Sequence, residues 1–420
     1  MSENNSPQPD PGLTVLSNAR LPEGPKVDIV VEGGMITSVG PATNSVIAGI
    51  NTIDLGGWLT LPSMVEPHAH IDKALTSEQV PNPTGDLRGA IDAWIAATAK
   101  GVFSHENTVA RATAAMDLLV THGVTSVRTH VNATPDIGAA NVIAVKEAVK
   151  AFVGVLDVQI VALPPNPLTG PEGEASRQSL AAALEAGVDL VGGCPHLEPD
   201  GLGVIKVLLS AAQEAGIGVD LHVDETLDPT TLTLRELARY VADEGFAYPV
   251  TASHCVSLGM QSPSVQAQVA AEVAQAGISI VALPQTNLFL QGRQDPTATP
   301  RGLTAVNALL EAGVNVAAGA DNVQDPFNLM GRSDPLETAA LMVMAGHQLP
   351  EDAYSMVSER ARRALGLDQA KIAPGHVADL VAIDAPSVRA AMADAPRSRR
   401  VFRRGKLVAS SDQVLTVHRD

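Results

Sequence analysis

Five times along the chain, a stretch with helical spacing of apolar residues ends in a glycine and passes directly into a short, nearly uninterrupted apolar run. The segments are THGVTSVRTHV (121–131), EAGVDLVGGCP (185–195), EAGIGVDLHVDE (214–225), QAGISIVALP (275–284) and EAGVNVAAGAD (311–321). Gly123, Gly187, Gly216, Gly277 and Gly313 read as the left-handed residues that close helices, a conformation glycine adopts without steric cost. The runs after them are rich in Val and Ile and do not alternate with polar residues, the pattern of parallel strands covered on both faces. WLTLPSMVEPHAH (58–70), LDVQIVALP (156–164) and YPVTASHC (248–255) bring the set to eight candidate strands, with helices such as 105–122 and 262–276 between them. Eight β-then-α units over about 300 residues predict a (β/α)8 TIM barrel. An open doubly wound sheet is the alternative, but no glycine-rich phosphate fingerprint follows the first strand.

The two ends read differently. Residues 12–57 and 372–420 carry short β-like runs separated by turns, among them KVDIVVEGGMITSVG and SRRVFRRGKLVAS. Neither half has enough apolar area to fold alone, so the two are expected to pair as one small composite β domain beside a barrel spanning 58–371. Residues 1–11 are polar and Pro-rich and are expected to be a disordered tail without signal-peptide features.

Composition narrows the chemistry. A net charge of −18 disfavours nucleic acid as a partner and suits a neutral or cationic small molecule. No apolar run reaches 18 residues, so no membrane span is expected. The two cysteines, Cys194 and Cys255, form neither a disulfide framework nor a CxxC metal motif, which fits a reducing, cytoplasmic setting. The sequence is compatible with a homo-oligomer but carries no diagnostic interface stretch.

In a barrel of this kind the active site lies at the carboxyl ends of the strands, and polar residues gather there. His68 and His70 end the first strand, His130 the second, His222 and Glu225 the fifth, His254 the sixth and Asp321 the eighth. Residues i and i+2 of a strand share a face, so His68 and His70 can bind one ion together. His222 and Asp321 complete a mixed nitrogen and oxygen set that suits one divalent metal, Zn or Fe. Each residue has a plainer reading. A single histidine is more often part of the core, Asp321 could cap a loop, and Glu225 could sit in the first turn of a helix. Five histidines at the same end of four strands outweigh that reading. Glu225, three residues after His222, stands where a proton shuttle is needed. His254 is either a ligand to a second metal or a partner of the nucleophile. A dinuclear site would call for a bridging lysine after strand four, where the chain reads GGCPH, so one metal is expected.

The motifs EPHAHIDK (66–73), VRTHVN (127–132), VQIVALP (158–164), VGGCPH (191–196), HVDE (222–225), TASHC (251–255), NLFLQGR (287–293) and GADNVQDPF (319–327) follow one another in an order and spacing that resemble the amidohydrolase superfamily, specifically its cytosine-deaminase-like branch. PGHVADLVAID (374–384) resembles part of that superfamily's composite β domain. The resemblance implies metal ligation by His68, His70, His222 and Asp321. It makes Glu225 the general acid/base, His254 the residue that orients the attacking metal-bound hydroxide, and Asp321 a proton acceptor. The implied reaction is hydrolytic deamination of a cyclic amidine, cytosine or a related aminopyrimidine or aminotriazine, with release of ammonia.

Substrate recognition departs from the family. Its pyrimidine-binding glutamine is replaced by Pro165, which has no side-chain donor or acceptor, although Asn166 stands next to it. Its second aspartate is Asn322, and its substrate-packing tryptophan is Phe327. Gln291 and Arg293 line the pocket or merely shape a loop. His196 reads as a cap on strand four rather than a substrate contact, His130 as a support for the ligands, and Lys73 as a solvated salt bridge to Asp72 or Glu66. The Lys73 form of the first motif is also seen in relatives that act on other rings, including an s-triazine amidohydrolase. The alternative activity is that of a cyclic amide or N-substituted triazine amidohydrolase. A non-catalytic scaffold is disfavoured because every ligand is present.

Overall fold

The structure is a computed structural model that describes residues 12–43 and 50–419; the tail expected over 1–11 lies outside the described residues. The chain begins with β1 (Leu13–Arg20), β2 (Lys26–Glu32), β3 (Met35–Pro41), β4 (Asn51–Asp54) and β5 (Leu59–Pro62). It then enters the barrel through β6 (Met64–Ala69), β7 (Val124–Asn132), β8 (Asp157–Leu163), β9 (Leu190–Val191), β10 (Gly218–Val223), β11 (Val250–His254), β12 (Ser279–Ala282) and β13 (Val316–Ala318). It leaves through β14 (Leu380–Ile383), β15 (Arg399–Arg403) and β16 (Lys406–Ser411).

β6 to β13 lie side by side in chain order, every ladder parallel. The ring closes where Asp321 N donates to His68 O at 3.0 Å and Ala69 pairs with Asp321. This is the (β/α)8 barrel. The helix-closing glycines 123, 187, 216, 277 and 313 have φ of 93°, 79°, 73°, 67° and 83°, the left-handed geometry their sequence context demands. β10 and β6 are buried along their whole length, including their polar residues Glu66, His68, Asp220 and His222. The single run predicted over 58–70 is two strands. The ladder changes partner at Ser63, whose N donates to Asp379 O, while Met64 N turns to Gly123 O. β5 therefore belongs to the terminal sheet and β6 to the barrel.

The two chain ends do pair. β14 runs antiparallel to β5, with Leu380 opposite Pro62 and Ile383 opposite Leu59, and β5 continues to β1, β2 and β3. This sheet has its own apolar core, centred on Leu16, Ile29, Ile36, Leu380 and Phe402. A helix at Val388–Asp394 lies between β14 and β15, within a segment read only as strands and turns.

One charged pair runs through the barrel interior. Arg128, 2% exposed, donates to Asp220 Oδ2 at 2.8 Å, Thr251 Oγ1 at 3.0 Å, Gln159 Oε1 at 3.0 Å and Ala364 O at 3.2 Å. Removing one member of such a pair strands the other in a medium that cannot solvate it, which costs about 3–5 kcal/mol. Arg128→Met is expected to lower the unfolding free energy by about that amount, and adding Asp220→Asn to recover part of it. Chemical denaturation of the two variants checks this; a loss below about 1 kcal/mol would mean that the pair does not tie the strands together.

Candidate active site

β6 and β10 bring three imidazoles to one point. His70 follows β6 directly, two residues after His68, and His222 is in β10. His222 Nε2 lies 3.2 Å from His68 Nε2 and 3.2 Å from His70 Nε2. Asp321 Oδ1 lies 3.5 Å from His68 Nε2 and 3.2 Å from His70 Nε2. All four residues are buried. Burial, followed by neighbouring charge (chiefly that of His130 for His68 and His222, of Lys73 for His70), holds the three imidazoles well below 6.5, so they are neutral and present lone pairs. Asp321 Oδ1 has no hydrogen-bond partner among the described residues. His222 Nε2 and Asp321 Oδ1 each stand 3.2–3.5 Å from both His68 Nε2 and His70 Nε2, and lone pairs this close repel without a cation. Two ligands bound at about 2.1 Å to one tetrahedral ion stand about 3.4 Å apart. The donor set therefore fits a metal.

The ligands are held from behind. His68 Nδ1 is 2.9 Å from Ser253 Oγ, which donates to Asp220 Oδ1 at 3.1 Å. Burial pushes the Asp220 carboxyl up, but His130 and Arg128 pull it below its usual value. His130 packs its ring on His68 with centroids 4.0 Å apart and sits 3.5 Å from Asp220 Oδ1. His68, His130 and Asp220 form a second cluster of metal-ligating atoms, but Arg128 already neutralises its carboxylate. Glu66 accepts from His68 N at 3.2 Å and Ala320 N at 3.1 Å, and burial pushes its carboxyl up to about 8. A Cβ on Gly319 would come within 2.6 Å of Glu66 Oε1, so a larger residue here would have to displace that carboxylate from its hydrogen bonds.

Lys73 does not lie in solvent: it is 3% exposed. It pairs with Asp72 at 3.4 Å as expected, but Glu66 is engaged elsewhere. Lys73 Nζ also donates to Asn132 Oδ1 at 2.9 Å and stands 3.1 Å from His70 Nδ1. An ammonium donating to Nδ1 leaves the proton of a neutral imidazole on Nε2. Ligation at Nε2 needs Lys73 turned towards Asp72 and Asn132.

Beside the donor cluster stand Glu225 and His254. His254 Nδ1 donates to Asn287 Oδ1 at 2.9 Å, which leaves the lone pair on Nε2, 3.8 Å from Asp321 Oδ2 and without a partner. Glu225 Oε1 lies 3.6 Å from His254 Nδ1. Burial, then the charge of Asp321, holds the Glu225 carboxyl well above 4.5. Ser253 and His254 are consecutive, yet both reach this site, which a regular pleat forbids. The left-handed backbone at His254, φ 68°, reconciles them, and Asp321 has a similar φ of 64°.

The cluster forms the floor of a cavity of about 1060 Å³. Asn166, Gln291, Asn322 and Phe327 line it, as does Pro165. Asn166 Nδ2 donates to Glu198 at 2.7 Å, Gln291 Nε2 to Glu225 O at 3.1 Å, and Asn322 Nδ2 to Asp325 at 2.8 Å. Each amide thus commits N–H to the protein and has oxygen to offer a ligand. Arg293, predicted to bind substrate, is not in the lining. Its guanidinium lies over the Phe289 ring at 4.5 Å and donates to Phe289 O, because the backbone turns at Gly292. His196 lines the cavity and also braces the site, donating from Nδ1 to His222 O at 3.1 Å. Asp220, Ser253 and Asn287 were missed as site residues. Asp220 and Ser253 precede the histidines in apolar strands, and an acidic residue in such a run is the signal that marks the first.

A closed parallel barrel with three imidazoles and a carboxylate at the carboxyl ends of its strands defines a metal-dependent hydrolase barrel. The Amidohydrolase family model matches residues 104–409. The chain is 33% identical over 422 residues to the pterin deaminase of Rhizobium rhizogenes (strain K84 / ATCC BAA-868), covering 96% of this chain and 95% of that one. It is 25% identical to the N-isopropylammelide isopropyl amidohydrolase of Pseudomonas sp. (strain ADP), covering 96% and 98%. The solved 5-methylcytosine deaminase of Klebsiella pneumoniae, liganded with 5-fluorocytosine, superposes with a TM-score of 0.86 at 29% identity, covering 97% and 99%. The chain belongs to the amidohydrolase family.

The buried neutral histidines give a pH test. An unfolded His222 takes a proton near 6.5, whereas the folded one resists it, so its contribution to stability is present above 6.5 and lost as pH falls. For metal-free protein, the unfolding free energy of the wild type minus that of His222→Asn should shrink by up to about 1.4 kcal/mol per pH unit below 6.5. A difference independent of pH between 7 and 5 would contradict the assignment.

Proposed function

We propose that the protein hydrolyses the exocyclic C–N bond of a cyclic amidine, an aminopyrimidine, aminotriazine or fused pterin-type ring, and releases ammonia. The observation that carries this reading is that His222 and Asp321 each approach both His68 and His70 within 3.2–3.5 Å, with Glu225 and His254 beside them on the floor of one cavity. His68, His70, His222 and Asp321 would hold one divalent ion, Zn or Fe; the ligand set accommodates either. Such an ion supplies Lewis acidity and a water nucleophile at neutral pH.

The chain's own groups do the rest. His254, with Nδ1–H committed to Asn287, presents Nε2 to accept a proton from the attacking water and aligns it. Asp321 Oδ2 stands on the same side to share that proton. Glu225 is kept in its neutral form by burial and has a proton to give to the ring nitrogen, which is the requirement for collapse of the amidine. Now a carboxylate, Glu225 takes the proton of the hydroxyl added at the ring carbon and delivers it to the departing amine, and the proton taken up by His254 and Asp321 returns Glu225 to its neutral form. Asn166, Gln291 and Asn322 offer carbonyl oxygens to the N–H groups of an amidine ring, and Phe327 packs against its face.

The likeness to N-isopropylammelide isopropyl amidohydrolase favours a second reading, in which the leaving group is an alkylamine. A panel of cytosine, isocytosine, aminotriazines, pterin and N-alkylaminotriazines, assayed for ammonia and alkylamine, separates the two. Opening of a cyclic amide with no amine released would overturn both. In the metal-loaded enzyme, Glu225→Gln is expected to reduce turnover by about 10²–10⁴-fold while metal content stays the same; unchanged turnover would remove Glu225 from the mechanism.

A further inference from the structure

The chemical groups occupy only the floor of the cavity. A single aminopyrimidine fills on the order of 100 Å³, whereas pockets of about 300–1,000 Å³ enclose ligands of drug size; this one is about 1060 Å³. Its outer wall is the helix α1 (Leu87–Ala99), in the long connection after β6. Ala90, Trp94 and Ala97 form the face of α1 that is buried against the protein. Leu87, Ile91 and Ile95 recur every four residues and so form a second stripe. All three line the cavity, and none belongs to the apolar cores. Ile95 is 61% exposed. Ile137, Pro167 and Leu197, from the segments that follow β7, β8 and β9, line the same cavity. Leu197 is 44% exposed.

An apolar stripe outside the apolar cores, half-buried at Leu87 and Ile91 and exposed at Ile95, is continuous with a catalytic floor and needs an occupant. Resting on the function proposed above, we infer that the outer chamber is a subsite for an apolar or aromatic side arm carried by the ring that is deaminated. The charges on its rim say what that arm is not. Asp86, Asp136 and Glu198 line the same space, and the two cations of the lining are each paired with another carboxylate, Arg88 with Asp92 at 3.0 Å and Lys73 with Asp72 at 3.4 Å. The rim is therefore acidic and repels a carboxylated arm, so the arm is neutral or cationic.

The test compares a ring with the same ring carrying a benzyl or butyl arm, by calorimetric binding and by ammonia release. The arm should improve affinity by at least about tenfold, and a carboxylate on its end should abolish the gain. Ile95→Glu and Leu197→Glu, exposed residues of the lining on separate segments, should each remove the gain. Ile143→Glu, 53% exposed on another helix and outside the cavity, should keep it. No gain from the arm, or a gain retained in both wall variants, overturns the inference. So does an Ile95→Glu protein that changes only its assembly state by light scattering, since the stripe would then cover a second copy. If no ring releases an amine but the arm still binds and the wall variants still abolish that binding, the deaminase reading fails and the subsite stands.

Discussion

Four electron-pair donors held within van der Waals reach of one another, away from water, are the constraint on which the rest of this structure depends. Once each imidazole carries its proton on Nδ1, His68, His70 and His222 and the carboxylate of Asp321 have nothing to donate to each other across the centre they enclose. A fold can maintain such an arrangement only if it fixes each side chain from outside and if a cation compensates the convergence. The barrel supplies the first condition. β6, β10 and the end of β13 are far apart in sequence, and closure of the ring between His68 and Asp321 sets their separation.

The fixing runs inward through the barrel. Arg128 holds Asp220, Asp220 accepts from Ser253, and Ser253 meets His68 Nδ1, so a ligand's orientation depends on an ion pair one layer below it. His222 is steadied through its backbone by His196, and His254 through its ring by Asn287. The left-handed conformations at His254 and Asp321 are the cost of turning side chains from strand ends onto one centre.

Much of this was legible in sequence, and the reasons are physical. Parallel strands buried on both faces leave unbroken apolar runs, and the glycines that start them mark the helix ends, so the barrel could be read. The spacing of His68 and His70 forces them onto one face. What could not be read depends on three-dimensional partnership. The change of sheet at Ser63 leaves no trace in an apolar run, because both sheets want the same residues there. Arg293 lies in a motif that suggests the pocket, yet the turn at Gly292 directs it onto Phe289. Lys73 reads as a surface cation, and its burial follows only from the cavity wall built by α1. Pro165 told what the pocket lacks but not what the chamber beyond it accepts.

The central claim is that the four donors hold one divalent ion. Elemental analysis of purified, metal-loaded protein tests it most directly, with His222→Ala measured alongside. The account predicts about one Zn or Fe per chain, lost on chelation and strongly reduced in the variant. No bound metal under loading conditions, two tightly held ions per chain, or a full complement in His222→Ala would contradict it.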